Sequence, residues 1–248
     1  MLRLIWLAIA GLVVTVPMAS AALLVAVFRS TSPWIDLISR TWARSLVRAA
    51  GIDLHISGLD RIDVTQRYVL VANHYSYLDI PCIMAIVPQP IRFMAKVSLF
   101  KIPIFGWALA RAGFIPIDRK NRRTAVKSFD LAAQRIRAGN TIVIFPEEGR
   151  THERTMKPFQ RGAFLLALKS EQTIVPIAID GTYDVFPANR WRVTPGRVTV
   201  KVGHPIETAG LTLRDKDRLL QESRTQIESM LFGESAPAMR PGPAIATD

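Results

Sequence analysis

Cysteine is almost absent: Cys82 is the single one in 248 residues. An internal disulfide is therefore excluded, and so is a cysteine-built zinc centre. Cys82 is also a weak nucleophile candidate, because it lies inside the apolar run Ile80 to Val87 and reads as core. Acidic residues are scarce as well. Twenty Asp and Glu against 32 Lys and Arg leave a net charge of +12, which points toward anionic partners: nucleic acid, acidic lipid or phosphorylated substrates. No internal repeat is present. At this length, one catalytic-size domain with additions at its ends is expected.

Charge is missing altogether from Leu4 to Phe28, 25 residues that as a helix would reach roughly 37 Å against a hydrocarbon core of about 30 Å. A membrane segment is expected, flanked by Arg3 and Arg29, with Gly11 and Pro17 able to kink it, so that it spans with tilt or dips into one leaflet. A cleaved signal peptide is the rival, supported by Ala19-Ser20-Ala21-Ala22. Against it, the apolar run continues to Phe28, beyond a normal signal core. Ser32-Pro33 starts a second helix that carries to about Ala50 and stops at Gly51. Arg40, Arg44 and Arg48 form a basic stripe on it, and Trp34, Ile38, Trp42 and Leu46 an apolar side, which suits a helix lying at lipid head groups or one packed on the domain. Residues 1–51 are thus read as a membrane anchor plus interfacial helix. Dense positive charge after Phe28 places the rest of the chain on the cytoplasmic side of the cell inner membrane or another membrane.

Residues 52–233 alternate in type. Strands are expected at Tyr68–Ala72, Ile91–Ala95, Phe114–Ile117, Thr141–Phe145, Ile174–Ile179 and Val198–Val202. Helices are expected at Tyr77–Val87, Ile104–Arg111, Arg122–Ala138, Gly162–Lys169 and Leu213–Phe232. This order predicts an α/β domain with a largely parallel sheet flanked by helices. Pro176 inside a strand implies an edge or a bulge. Residues 234–248, rich in proline, are expected to be a disordered tail.

The chemistry-bearing stretch is Asn73-His74-Tyr75-Ser76-Tyr77-Leu78-Asp79, which follows the first strand. Across a strand-to-helix turn, with Ser76 capping the helix and Asp79 in its first turn, the two side chains can touch. On one continuous helix a five-residue step rotates by roughly 140° and would separate them. Imidazole titrates near neutrality, and a carboxylate on its far nitrogen fixes the tautomer, so the pair suits general-base chemistry on a substrate hydroxyl. The plainer alternative is a hydrogen-bonded turn with a helix-start carboxylate. In a parallel sheet the ligand site lies outside the carboxyl ends of the strands. There the sequence places Arg119 after Phe114–Ile117, and Glu147, Gly149 and Arg150 after Thr141–Phe145. Arg119 can fork onto a phosphate. Its neighbours Lys120, Arg122 and Arg123 crowd a helix start, which a bound anion would relieve and a solvated turn would also explain. Gly149 permits a sharp turn carrying an acid and an Arg, or a surface ion pair.

Taken in order, these stretches resemble the glycerolipid acyltransferase family typified by 1-acylglycerol-3-phosphate acyltransferase. Asn73, His74 and Asp79 match its first motif, Gly113-Phe114-Ile115 with Arg119 its second, Phe145-Pro146-Glu147 with Arg150 its third, and Val175-Pro176-Ile177 its fourth. The likeness covers roughly Leu59 to Gly203. One departure is Glu148-Gly149, where the family usually has Gly-Thr. The resemblance implies a glycerol-3-phosphate acyltransferase-like fold and a membrane-bound enzyme. It implies His74 as base with Asp79 as its partner, and substrate-binding roles for Asn73, Arg119, Glu147, Gly149 and Arg150. It further implies an acyl-CoA or acyl-carrier-protein donor as co-substrate, a lysophospholipid acceptor, membrane lipids as partners, and neither metal nor other cofactor. A lyso-ornithine lipid is an alternative acceptor. A membrane-anchored basic module gripping nucleic acid or acidic lipid without chemistry is disfavoured, because the informative cations sit at strand ends beside a His-Asp pair rather than on a continuous aromatic-studded face.

Overall fold

The run Val69-Leu70-Val71-Ala72 forms strand β2 (Val69–Ala72), none of whose residues reaches solvent, as a strand covered on both faces requires. Its alternate side chains enter two separate cores. Leu70 and Ala72 join one, Val69 and Val71 the other. The computed structural model describes residues 1–29, 32–118, 122–151 and 153–233. Seven strands form one sheet in the order β1-β7-β6-β2-β5-β3-β4, with β1 Ile52–Ser57, β3 Ile91–Lys96, β4 Ile115–Ile117, β5 Thr141–Ile144, β6 Ile174–Asp180 and β7 Gly196–Val202. Every neighbouring pair is parallel except β6 with β7, so the sheet is largely parallel, as expected.

Helices α1 (Leu2–Phe28), α2 (Pro33–Ala49), α3 (Asp79–Ile86) and α4 (Phe105–Arg111) cover one face. Helices α5 (Arg122–Arg137), α6 (Gly162–Ser170) and α8 (Lys216–Phe232) cover the other, and a short α7 (Thr182–Val185) follows β6. Cys82 is fully buried in α3 and belongs to the core. Burial pushes its thiol pKa far up, with a smaller contribution from the Asp79 charge.

Helices α1 and α2 form an antiparallel pair. The Trp6 indole donates to the Ala49 carbonyl at 3.1 Å and the Trp42 indole to the Thr15 hydroxyl at 2.9 Å. One side of α1 rests on the domain through Leu7, Ala19, Ala22 and Ala26, while Leu2, Ile5, Ile9, Leu12, Val13 and Val16 are exposed. The helix is long and apolar enough to cross a membrane. Ser32 caps α2 by accepting from the Trp34 amide, with Pro33 at the first helical position, as the Ser-Pro signal predicts. Within the basic stripe, Arg44 donates to the Ala85 carbonyl in the last turn of α3, where a cation suits the helix dipole.

Three expectations are corrected. The strand Ile52–Ser57 was not anticipated; its burial alternates only weakly, as at a sheet edge. Helix α3 begins at Asp79 rather than Tyr77, because the Ser76 hydroxyl serves a turn instead: it accepts from the Leu78 amide and donates to the Phe186 carbonyl at 2.6 Å. Pro176 lies on an interior strand, yet at an interruption. The β6–β7 ladder ends at Ile177 opposite Val202 and pairing resumes only at an isolated bridge between Ile174 and Ile206, so the absent N–H falls in the gap. The tail 234–248 lies outside the described residues.

The helical pair is tied to the sheet by Arg92 of β3, whose Nη1 lies 2.6 Å from Asp36 Oδ1 of α2, both side chains largely shielded. Asp36→Ala strands a buried guanidinium and is expected to cost about 3–5 kcal/mol. Denaturation of the detergent-solubilised protein measures it, and an Asp36→Leu, Arg92→Met double variant should recover most of the loss.

Candidate active site

Because β2, β5 and β6 run parallel, their carboxyl ends deliver Asn73-His74, Phe145-Pro146-Glu147 and Gly181-Thr182 to one edge. His74 is 6% exposed and its ring stacks on Phe145, centroids 4.1 Å apart. His74 Nδ1 lies 2.8 Å from Asp79 Oδ2. That same oxygen accepts the Tyr75 and Ser76 amides, each at 2.8 Å, while Oδ1 accepts the Thr182 hydroxyl at 2.6 Å. Asp79 is fully buried. With its acceptor sites taken by donors, it holds Nδ1 as the protonated nitrogen, which leaves Nε2 as a lone pair. Among the described residues Nε2 has no partner. The arrangement can accept a proton from a hydroxyl brought to Nε2.

Glu147 is 5% exposed, and both its oxygens serve the backbone. Oε1 accepts the His74 amide at 2.7 Å and Oε2 the Lys157 amide at 2.8 Å. The surface ion pair that the turn could carry is not formed between Glu147 and Arg150; Glu147 instead fixes the backbone of His74. Burial pushes its carboxyl up to about 7, offset in part by the two amide donors and reinforced by the Asp79 charge. The Arg150 guanidinium lies 3.6 Å over the Tyr77 ring, a cation–π contact at the mouth of the site. Asn73 is buried and splices β2 to β6: its amide nitrogen donates to the Ile179 carbonyl at 2.9 Å, and its oxygen accepts the Ile179 amide at 2.7 Å. The left-handed position of the 146–150 turn falls at Glu148, φ 55°, rather than at Gly149, so the residue where the resembled family has glycine is the one with the conformational need. Arg119 and Lys120 lie outside the described residues, as do the side chains of Arg122 and Arg123.

Thr182 and Lys157 were missed. Thr182 directly follows a strand end, the same signal that exposed His74, but its hydroxyl is not titratable and drew no attention. Lys157 acts through its amide, which no side-chain pattern reveals. Its Nζ also donates to the Arg150 carbonyl at 2.6 Å.

Beside this edge an apolar cavity of about 290 Å³ runs between α1, α2, α3, α4 and β3. Leu7, Met18, Trp42, Met84, Phe93 and Phe114 line it, and Tyr77 and Leu78 of the turn between β2 and α3 reach it. Phe93 stacks on Phe145 at 6.0 Å, and Phe145 on His74, so the cavity wall and the imidazole share one aromatic column. Among the described residues no cluster of three His, Cys, Asp or Glu side chains could hold a metal ion.

A family model described as Acyltransferase matches residues 53–180. The 1-acyl-sn-glycerol-3-phosphate acyltransferase alpha of Mus musculus is 36% identical over 176 residues, 70% of this chain and 62% of its own length. The Homo sapiens protein of the same name is 35% identical over 175 residues, with the same shares. The chain thus matches somewhat under two thirds of these relatives' lengths. Among solved structures, the 1-acyl-sn-glycerophosphate (LPA) acyltransferase PlsC from Thermotoga maritima aligns with a TM-score of 0.79 at 23% identity, over 91% of this chain and 92% of that one. At that identity the likeness bears on the fold.

Glu147 generates a pH-dependent stability. Its folded pKa of about 7 exceeds the ordinary value of 4.5, so the folded state holds the proton more tightly. The stabilisation is complete below about 4.5 and is lost as pH rises through about 7. In urea titrations across this window, Glu147→Gln is expected to flatten that downward slope; an unchanged slope would assign it to other groups.

Proposed function

The chain belongs to the acyltransferase family, and we propose that it transfers a fatty acyl group from an acyl-CoA or acyl-carrier-protein thioester to the sn-2 hydroxyl of 1-acyl-sn-glycerol-3-phosphate, giving phosphatidic acid. The observation that carries this reading is the Asp79-locked imidazole, Nδ1 to Oδ2 2.8 Å, joined through the stacked rings of Phe145 and Phe93 to the wall of an apolar cavity of about 290 Å³.

In this mechanism the acceptor hydroxyl donates its proton to His74 Nε2 as its oxygen attacks the thioester carbonyl. The tetrahedral intermediate collapses by breaking the carbon–sulfur bond, and the imidazolium returns the proton to the leaving thiolate. Asp79 stabilises the transient imidazolium and, with three further donors holding its carboxylate, does so without reorganising. The residues present supply base, orientation and an apolar bed, so no cofactor is required beyond the thioester co-substrate. The transferred chain occupies the cavity, where each buried methylene contributes about 0.8 kcal/mol. Arg150, with Arg119, holds the acceptor phosphate in a charge-assisted fork. Helix α1 anchors the enzyme in the membrane with its exposed apolar side, and the catalytic domain faces the cytoplasm.

Purified protein supplied with labelled acyl-CoA or acyl-carrier protein and a panel of lysolipids, including lyso-ornithine lipid, tests the reading by product mass. Lysophosphatidate should be the preferred acceptor, and His74→Ala should reduce its turnover by roughly 10²- to 10⁴-fold while leaving a folded protein. Preference for an acceptor without phosphate would overturn the head-group assignment. Ala108, a cavity-lining residue of α4, provides a separate check. Ala108→Leu is expected to shift the donor profile toward shorter chains, read as the ratio of kcat/KM for long and short acyl donors.

A further inference from the structure

Between α7 and β7 the chain makes an excursion that is pinned at both ends. At its start the Phe186 carbonyl accepts the Ser76 hydroxyl at 2.6 Å, the Phe186 ring lies 5.7 Å from that of Tyr77, and Pro187 bridges to Ser76. At its end the Thr194 amide donates to the Val185 carbonyl at 2.9 Å, Val193 is buried, and Pro195 packs so closely on Gly51 that a Cβ there would meet it at 2.8 Å. Gly51 follows α2, whose last turn receives the Trp6 indole on the Ala49 carbonyl. The excursion therefore joins the catalytic turn to the N-terminal end of α1.

Its tip reads Arg190-Trp191-Arg192. Trp191 is 77% exposed, and Arg190 and Arg192 are exposed too. Among the described residues neither guanidinium has an ion-pair or hydrogen-bond partner, in contrast to Arg154 and Arg161, which pair with Asp184 and Asp217. Exposed Met1, Leu2, Arg3, Trp6 and Arg48 lie at the same end of the α1–α2 pair. A large indole held in water between two unpaired cations contributes nothing to the fold; it matches an interface that is apolar on one side and anionic on the other.

We infer that the Arg190-Trp191-Arg192 tip is a second membrane contact, with Trp191 seated among lipid head groups and the two arginines paired with anionic phospholipid. It extends the membrane reading of α1, on which it rests, to the rim of the catalytic turn. Because the excursion also holds Ser76 and Tyr77, seating the tip sets the catalytic edge against the lipid surface from which acceptor is drawn.

Nitroxide depth measurement tests this in the full chain reconstituted into phosphatidylcholine vesicles with or without phosphatidylglycerol. A label at Ala188→Cys leaves the tip intact, and Cys82 is buried away from labelling. The label at 188 should be shielded from an aqueous nickel chelate, more so with phosphatidylglycerol, and that shielding should vanish with Arg190→Glu and Arg192→Glu. A label at Leu12→Cys reports α1 separately. Membrane depth at 12 with water exposure at 188 overturns the tip contact and leaves the anchor standing; water exposure at both overturns the anchor as well. In unlabelled protein the same double charge reversal should slow turnover in anionic vesicles on the order of tenfold and leave short-chain substrates in neutral detergent unaffected. Equal turnover in the vesicles overturns the proposal. So does a label at 188 that responds only to added acidic carrier protein, which would assign the tip to a protein partner.

Discussion

The buried carboxylate of Asp79 organises this molecule. Placed in solvent it would be one more helix-start acid; enclosed, it must find a donor for every acceptor site or suffer the full desolvation cost. It does so by drawing in the His74 ring, the Tyr75 and Ser76 amides and the Thr182 hydroxyl. Those donors come from the end of β2, the following turn and the end of β6, so the requirement to satisfy one anion forces the turn shape, the imidazole tautomer and the docking of α7 together. Functional geometry and electrostatic satisfaction are here the same constraint.

A second buried carboxylate supports the first from the opposite side. Glu147 spans the His74 and Lys157 amides, and the Lys157 carbonyl is in turn held by Arg224 of α8 at 2.7 Å, with Arg224 also paired to Glu228. The loop between β5 and α6 is therefore fastened at its base to the turn that carries His74 and at its far side to α8. A chain of bonds of this kind resists displacement of His74, and for the base proposed here that matters because misplacing a catalytic group by even an ångström slows a reaction steeply.

The two faces of the sheet divide the labour. The face covered by α5, α6 and α8 is filled by interlocking apolar side chains and carries the bracing. The face covered by α1 to α4 has a core of its own and also the apolar cavity, whose walls come partly from α1, the helix whose outer side is exposed and apolar. One helix thus presents apolar surface both to the cavity and away from the domain. Its small residues Ala19 and Ala22 permit the close approach that larger side chains would fill.

Much of this was legible in the linear chain because it depends on local rules. Alternation of apolar runs with helical stretches determined the α/β class. The bend after Ala72 brought His74 within reach of Asp79, and the carboxyl-end rule gathered Glu147 and Arg150 to the same edge. Ser32-Pro33 marked the start of α2, and Pro176 marked a break in a ladder. What required tertiary structure is whatever depends on partners distant in sequence. Asn73 spends its side chain on Ile179, 106 residues away. Glu147 serves two amides rather than Arg150, and Thr182 completes the Asp79 shell, since a buried acceptor takes whichever donor the packing brings. The strand order, with β1 at the edge and β6 inside, is likewise set by which faces can be covered. Residue types and spacing thus determined that a histidine, two carboxylates and Arg150 gather at one sheet edge; only the packing decided which donors each carboxylate satisfies, because hydrogen-bond partners in a core are chosen by proximity and the penalty for remaining unpaired.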